Sequence, residues 1–345
     1  MEFNPNAAAT GDTGVFGLPF TTEDAAMVLI PVPWEATTSY GGGTSQGPDA
    51  ILEASKQVDL FDLEVEKPYT PGIAMVDEAD AVLAMNEEGK QLAQSIIEKG
   101  GHIEGDAVLE KALARVNQLS HTVNEWVEKE TTKWLDKGKI VGLVGGDHSV
   151  PYGAMKAIGK KEGPFGVLHF DAHSDTRNAY EGFQHSHASI FRNVLDDVNE
   201  VSKLVQVGIR DLCEEEMEYT IKQGGRVISY PDLVIQRRKM SGENWMSLCR
   251  EIVNGLPDKV WISFDIDGLD PKLCPNTGTP VPGGLEFLEA VMLIGEVARS
   301  GRRIIGFDLN EVSPGEDEWD ANVGARLLYK LCAWTFASQK LCKTR

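Results

Sequence analysis

The segment from Phe165 to Asp175 reads FGVLHFDAHSD. Its first six residues are apolar apart from His169, and such a run is typical of a strand buried on both faces. Asp171, His173 and Asp175 then follow at alternating positions, so in an extended chain their side chains point to the same side. The segment therefore predicts a buried strand that ends in three potential metal ligands.

Six more short apolar runs predict strands, and helical stretches separate them. The strands are Met27–Ile30, Ile140–Val144, Leu204–Val207, Arg226–Ile228, Val260–Phe264 and Arg303–Phe307, and the helices include Leu92–Lys99, Ala107–Leu135 and Leu285–Ala298. This alternation predicts an α/β fold with a mostly parallel sheet covered by helices. We expect one domain over residues 1–345, with a flexible N-terminal arm at 1–20 and a helical excursion on the rim at 78–139.

Three other predicted strands also run directly into polar side chains. Val144 precedes Gly-Gly-Asp-His-Ser, Phe264 precedes Asp-Ile-Asp-Gly-Leu-Asp-Pro, and Phe307 precedes Asp-Leu-Asn-Glu-Val-Ser-Pro. In open parallel sheets the ligand crevice lies beyond the carboxyl ends of the strands. We therefore expect these side chains to converge with those of the first segment at one edge of the sheet.

The potential ligands at that edge are two imidazoles and four carboxylates: His148, Asp171, His173, Asp175, Asp265 and Asp267. A lone Asp-x-Asp usually marks a turn or a helix cap, but here five of the seven histidines lie between His148 and His187. Four carboxylates would balance the charge of two divalent cations, and oxygen-rich ligation with some imidazole suits manganese. Such a pair of ions can make a water nucleophilic near neutral pH. His169 is expected to pack in the core or to support a ligand.

The order and spacing of these motifs resemble the ureohydrolases, the family that includes arginase and agmatinase. The resemblance runs from about Leu29 to Ala333, and it is closest to agmatinase and plant-type arginase. Its motifs are Gly145–Ser149, Asp171–Asp175, Ser263–Pro271, Thr277–Pro280 with Pro282–Gly284, and Thr37–Tyr40 with Gly47–Ile51. It implies a three-layer α/β/α arginase-like fold with a sheet of seven or eight strands. It also implies a hydrolase with two Mn²⁺ per chain that cleaves a guanidino compound into urea and an amine.

The resemblance further implies a role for each potential ligand. His148, Asp171, Asp175 and Asp265 would hold one manganese, and Asp171, His173, Asp265 and Asp267 would hold the other. Asp175 would also orient the hydroxide between the two ions. Glu311 would receive the guanidinium group of the substrate, whose paired N–H donors match the two oxygens of a carboxylate.

The loop after Asp175 contains two candidates for the proton-transfer residue, His185 and His187. The pattern Tyr180-Glu181-Gly182 with Ser186-His187-Ala188-Ser189 resembles agmatinases and plant-type arginases, and it favours His187 as the general acid and base. Other agmatinases have this histidine two residues earlier, where His185 stands. On the favoured alignment His185 is an exposed loop residue.

The resemblance implies a small cationic guanidino compound as the substrate, and agmatine is the leading candidate. Animal-type arginases hold the amino-acid head group with an asparagine-rich loop, where this chain has Thr176-Arg177-Asn178. Arginine or a guanidino acid is the alternative, since Arg177 or Arg192 would bind a carboxylate if either faced the cleft. Otherwise these arginines form salt bridges or subunit contacts.

The composition of the chain limits which partners the protein is expected to bind and in which cellular compartment it is expected to lie. The net charge of −20 disfavours binding to nucleic acid or to an anionic membrane. Five cysteines without a C-x-x-C pair indicate neither a disulfide framework nor a zinc ribbon, and with no recognisable signal peptide they predict a cytoplasmic protein. The family resemblance suggests a homotrimer or homohexamer.

Two other classes of protein are alternative interpretations of this sequence. A single-zinc deacetylase typically needs only three protein ligands, which does not explain four aspartates. A catalytically inactive homologue would lack some of the ligands, and all six are present.

Overall fold

The computed structural model describes residues 3–9 and 13–345, and eight strands form its centre. They are β1 (Met27–Val32), β2 (Ile73–Met75), β3 (Ile140–Gly145), β4 (Phe165–Phe170), β5 (Val201–Val207), β6 (Val227–Tyr230), β7 (Lys259–Asp265) and β8 (Arg303–Asn310). All neighbouring strands pair in parallel, in the order β2-β1-β3-β8-β7-β4-β5-β6. The predicted parallel α/β sheet is thus confirmed.

Ten α-helices within the described residues cover this sheet. They are α1 (Gly47–Ser55), α2 (Asp80–Ile97), α3 (Ala107–Asp136), α4 (Pro151–Glu162), α5 (Ile190–Asp197), α6 (Glu214–Lys222), α7 (Asp232–Met240), α8 (Trp245–Asn254), α9 (Phe287–Arg299) and α10 (Trp319–Ser338). Helices α2 to α6 pack on one face of the sheet, and α1 with α7 to α10 pack on the other. None of the helices in this part of the chain is both long and apolar enough to cross a membrane.

Alternating strand residues divide the core between the two faces. In β1, Met27 and Leu29 join the cluster beneath α1 and α7 to α10, whereas Val28 and Ile30 join the cluster beneath α2 to α6. This follows from the two-residue period of a strand, which sends successive side chains to opposite faces. Because both faces are covered, the strands are apolar at most positions, and the three-layer α/β/α architecture is confirmed.

The four strands that carry the motifs are neighbours in the middle of the sheet, in the order β3-β8-β7-β4. Their last residues pair side by side, with Val144 opposite Leu309 and Asp265 opposite Asn310. The segments that follow these strands therefore leave the sheet at the same edge. This adjacency brings together residues that are far apart in the chain.

Three features differ from the sequence expectation. Strand β2 was not predicted, because a run of three residues is too short to show a period. Strand β6 lies slightly later than the predicted Arg226–Ile228. Part of the expected N-terminal arm is core structure, since Val15, Phe16 and Leu18 are buried; the arm's residues 1–2 and 10–12 lie outside the described residues.

The segment 78–139 also differs from the expected rim excursion. It forms α2 and α3, and α3 buries Leu119, Val123 and Val127 in the same cluster as the strands β1 and β3. These residues recur every four positions, which places them on one face of the helix. Helix α3 is therefore part of the layer that covers the sheet.

Candidate metal centre

The imidazole of His148 faces three carboxylates. Its Nδ1 atom lies 3.0 Å from Asp171, 3.2 Å from Asp175 and 3.3 Å from Asp265, measured to the nearest carboxylate oxygen of each. His148 follows β3 in a tight turn, where a β-carbon on Gly146 would lie only 1.9 Å from a backbone oxygen. The close approach of the Trp34 backbone therefore requires glycine at this position, and the turn brings His148 over the ends of β4 and β7.

The other nitrogen of His148 shows which atom is free to bind a metal. Nε2 lies 2.9 Å from the Ser263 hydroxyl, and that hydroxyl donates to Asp308 at 2.7 Å. Because the Ser263 hydroxyl donates its proton to Asp308, its oxygen accepts a hydrogen bond from Nε2–H of His148. The unprotonated Nδ1 then points at the three carboxylates, as expected of a ligand whose second nitrogen is fixed by a hydrogen bond.

A second group of donors adjoins the first. The Nδ1 atom of His173 lies 3.0 Å from Asp267 and 3.4 Å from Asp171. Asp171, His173 and Asp267 have donor atoms within 4.8 Å of one another, as do His148, His169, Asp171 and Asp175. Asp171 belongs to both groups. All six predicted ligands thus lie together at one edge of the sheet.

His169 supports a ligand, although its position would also suit a metal. Its Nδ1 accepts from the Gln206 amide at 3.2 Å, and that amide also donates to the Ser174 carbonyl at 2.8 Å. Nε2 therefore carries the proton and donates to Asp171 at 2.7 Å. A protonated nitrogen cannot coordinate a cation, so His169 orients Asp171.

The four aspartates form a concentrated negative charge. Burial and the neighbouring Asp171 raise the pKa of Asp175 to about 7, and burial with Asp267 raises the pKa of Asp265 well above its usual range. Within the described residues the only basic side chains at ion-pair distance from these four aspartates are histidines. Buried carboxylates are costly without cationic partners. The donor set therefore fits hard divalent cations.

Glu311 lies at the end of β8 and does not belong to the metal groups. Its Oε1 accepts the backbone N–H of His148 at 2.9 Å, whereas its Oε2 is buried and has no hydrogen-bond partner in the described chain. Its φ of +62° is unusual for a residue other than glycine, and the Thr277 hydroxyl fixes its carbonyl at 2.7 Å. A buried acceptor without a donor costs about 1–3 kcal/mol, so this oxygen is placed for a ligand that donates.

The structure places His187, and not His185, beside Glu311. Nδ1 of His187 lies 3.7 Å from Oε1 of Glu311, and its Nε2 is buried without a partner among the described residues. Burial opposes the charged form, but the negative charge of the nearby Glu311 raises the pKa of His187 above its usual value. His185, which was expected to be exposed, is instead half-buried and packs on Tyr152, with ring centroids 5.1 Å apart. The proton-transfer role of His187 stays a prediction.

A cavity of about 170 Å³ opens onto this cluster. The predicted site residues His173, Asp175, His187 and Asp265 line it, and so do Ser39, Arg177, Tyr180, Ala188, Asp211, Leu212, Glu216 and Thr279. Ser39 and Thr279 lie in the motifs Thr37–Tyr40 and Thr277–Pro280, to which the family resemblance assigns no individual role. Asp211, Leu212 and Glu216 belong to no motif, and the sequence carried no signal for them.

The two arginines with undecided roles have different positions. Arg177 lines the cavity. Arg192 bonds Asp196 at 2.7 Å and its guanidinium lies 4.0 Å from the centre of the Tyr219 ring. Arg192 is thus a structural residue of helix α5, and Arg177 is the arginine that faces the cleft.

The fold and the site together define a three-layer α/β protein whose central strand ends carry a potential metal centre. The sequence matches the Arginase family over residues 25–333. The chain belongs to this family, and it is a hydrolase that acts on C–N bonds in linear amidines. Members of the family use a binuclear metal centre.

Several relatives are similar along most of their length. The N(1)-aminopropylagmatine ureohydrolase of Thermus thermophilus is 32% identical over 308 residues, which is 89% of each chain. The proclavaminate amidinohydrolase of Streptomyces clavuligerus is 34% identical over 316 residues, covering 88% of this chain and 87% of that one. The agmatine ureohydrolase structure of Thermoplasma volcanium superposes with a TM-score of 0.68 at 24% identity, over 93% of this chain and 94% of that one.

Divalent cations should stabilise the folded protein. We expect Mn²⁺ to raise the Tm of chelator-treated protein, because a ligand that binds only the native state adds about 2.7 kcal/mol at 100 times its Kd. Asp171→Asn should remove most of this shift, since Asp171 belongs to both donor groups. Scanning calorimetry with and without Mn²⁺ measures the shift.

Asp270→Asn is the matched control for this measurement. Asp270 lies in the same motif as Asp265, but its carboxylate contacts Lys272 outside the cluster. It should keep the full Mn²⁺-dependent shift. A folded Asp171→Asn protein with an undiminished shift would contradict the assignment of the cluster.

Proposed function

We propose that this chain hydrolyses a linear guanidino compound to urea and an amine, with two Mn²⁺ ions per chain as cofactors. His148, Asp171, Asp175 and Asp265 would hold one ion, and Asp171, His173, Asp265 and Asp267 the other. The observation that carries the proposal is the buried, unpartnered oxygen of Glu311 beside this cluster. When bound, the two ions would lower the pKa of a water molecule and supply the nucleophile at neutral pH.

Glu311 is suited to bind and orient the guanidinium group. Its Oε1 is fixed by the His148 N–H, so the carboxylate has one orientation and presents Oε2 to the ligand. A planar cation with paired N–H donors matches such a carboxylate, and the pairing is stronger in a buried site. Glu311 would therefore hold the guanidinium carbon against the donor cluster.

His187 is suited to transfer a proton to the departing amine. Its Nδ1 contacts Glu311, and its Nε2 has no partner within the described residues. Because Glu311 favours the protonated imidazole, His187 would be able to donate a proton near neutral pH. In its neutral form His187 can instead accept a proton and act as a general base.

Agmatine, which would yield putrescine, is the substrate that the sequence favours. One relative is named for N(1)-aminopropylagmatine and another for proclavaminate, so relatives of similar length differ in the group attached to the reacting end. The position of Arg177 in the cavity supports a second candidate, a guanidino acid. A homotrimer or homohexamer in the cytoplasm belongs to the same proposal and rests on the family resemblance and the composition.

Glu311→Gln tests the substrate role of Glu311. We expect kcat/KM for urea release to fall about 10- to 100-fold, because a hydrogen bond to a charged group is lost. The manganese content should be unchanged. Colorimetric urea release and elemental analysis of the same sample measure both. Glu316→Gln, an exposed glutamate in the following loop, is the control. Loss of manganese in Glu311→Gln would show that Glu311 holds metal.

His187→Ala and His185→Ala test the loop alignment against each other. We expect His187→Ala to lower kcat by about 10²–10⁴-fold, the usual contribution of a general acid or base, at full manganese occupancy. His185→Ala should have a much smaller effect, since His185 packs on Tyr152 away from the cavity. If the His185 variant is the slower one, the two histidines have been assigned in the wrong order.

A further inference from the structure

We infer that Arg177 binds a carboxylate at the far end of the substrate, so that guanidino acids are better substrates than agmatine. This inference rests on the proposed function, since it concerns the same cavity. It goes further by naming the charge at the non-reacting end of the substrate and the residue that selects it.

The backbone fixes Arg177 between the donor cluster and the His187 loop. Arg177 lies two residues after Asp175, and its N–H donates to the carbonyl of Ala188 at 3.1 Å. Its side chain lines the cavity together with those of Asp175 and His187. His187 also lies 3.7 Å from Glu311, so a substrate whose guanidinium reaches Glu311 would pass through the cavity that Arg177 lines.

Two contacts position the Arg177 side chain without using its hydrogen bonds. The guanidinium carbon lies 4.9 Å from the centre of the Tyr180 ring, and Nε lies 3.6 Å from Oε2 of Glu216. The oxygens of Glu216 already accept the backbone N–H groups of Thr176 at 3.0 Å and Cys213 at 2.9 Å. Glu216 and Tyr180 thus orient the guanidinium while its terminal nitrogens stay open.

Arg177 differs in this respect from the other arginines of the region. No residue in the described ranges 3–9 and 13–345 accepts a hydrogen bond from its side chain, which is 37% exposed. Arg210 and Arg226, by contrast, donate to backbone carbonyls, and Arg192 donates to Asp196. The planar fork of an arginine with open terminal nitrogens matches a carboxylate in a bidentate pair.

Asp211 is the other charged side chain at the cavity that belongs to neither the donor cluster nor the Arg177 contacts. It is exposed, and no described residue forms an ion pair with it. Asp211 would tolerate an amino group next to the carboxylate of the substrate, but its side chain is not held in place as that of Arg177 is.

The net charge of −20 favours cationic substrates at long range, yet salt screens such fields within about 10 Å. Contact with Arg177 therefore decides selectivity.

Three substrates that share the guanidino group and differ at the far end test this inference. They are 4-guanidinobutyrate, with a carboxylate, agmatine, with an ammonium, and arginine, with both. Urea release by the Mn²⁺-loaded wild-type protein gives kcat and KM for each. We expect the highest kcat/KM for a substrate with a carboxylate, and the lowest for agmatine.

Arg177→Gln should reverse this preference. We expect its kcat/KM for 4-guanidinobutyrate to fall about 10- to 100-fold, mostly through KM, because a charged hydrogen-bond pair is lost. Its kcat/KM for agmatine should stay within about threefold or rise, since a like charge is removed. Arg192→Gln makes the same change outside the cavity and should leave the substrate ratio at the wild-type value. The ratio is measured within each variant, so a loss of folded protein cancels.

Two results would overturn the inference but not the proposed function. One is a wild-type preference for agmatine, and the other is an equal loss for all three substrates in Arg177→Gln, which would make Arg177 structural. If wild-type protein releases urea from none of a wider panel of guanidino compounds, the proposed function itself is wrong.

Discussion

Four aspartates are buried together at the carboxyl edge of the sheet, and histidines are the only basic side chains at ion-pair distance from them in the described chain. Such a group repels itself, and burial removes the water that would otherwise stabilise it. Bound divalent cations would remove this penalty. The rest of the structure depends on this constraint, because a fold that tolerates such a cluster must hold it rigidly and from several directions.

The sheet supplies that rigidity. Three of its four central strands, β3, β4 and β7, deliver the donors to one edge, and hydrogen bonds beneath the donors fix their orientation. Gln206 on β5 holds His169, which holds Asp171; Asp308 on β8 holds Ser263, which holds His148. Asp308 is itself fixed by Trp261 and Asn310. These two chains of contacts cross four neighbouring strands, so the ligand geometry is tied to the packing of the core.

Much of this arrangement follows from the sequence, because the relevant patterns are local. Apolar runs that end in aspartate and histidine predict both the buried strands and the donors, and parallel pairing makes those ends meet. Strand β2 and the buried residues Val15, Phe16 and Leu18 were missed, because they lie in short segments without a period. The positive φ angles of Asp175 and Glu311 leave no trace in composition. The direction of the long Arg177 side chain depends on Glu216, which is distant in the chain.

On the proposed function, this cluster holds two ions that share an aspartate. Anomalous diffraction from crystals grown with Mn²⁺, recorded near the manganese absorption edge, tests it directly. We expect two peaks about 3.5–4 Å apart, with Asp171 in contact with both, one near His148 and the other near His173. A single peak, or two peaks without a shared aspartate, would contradict the account.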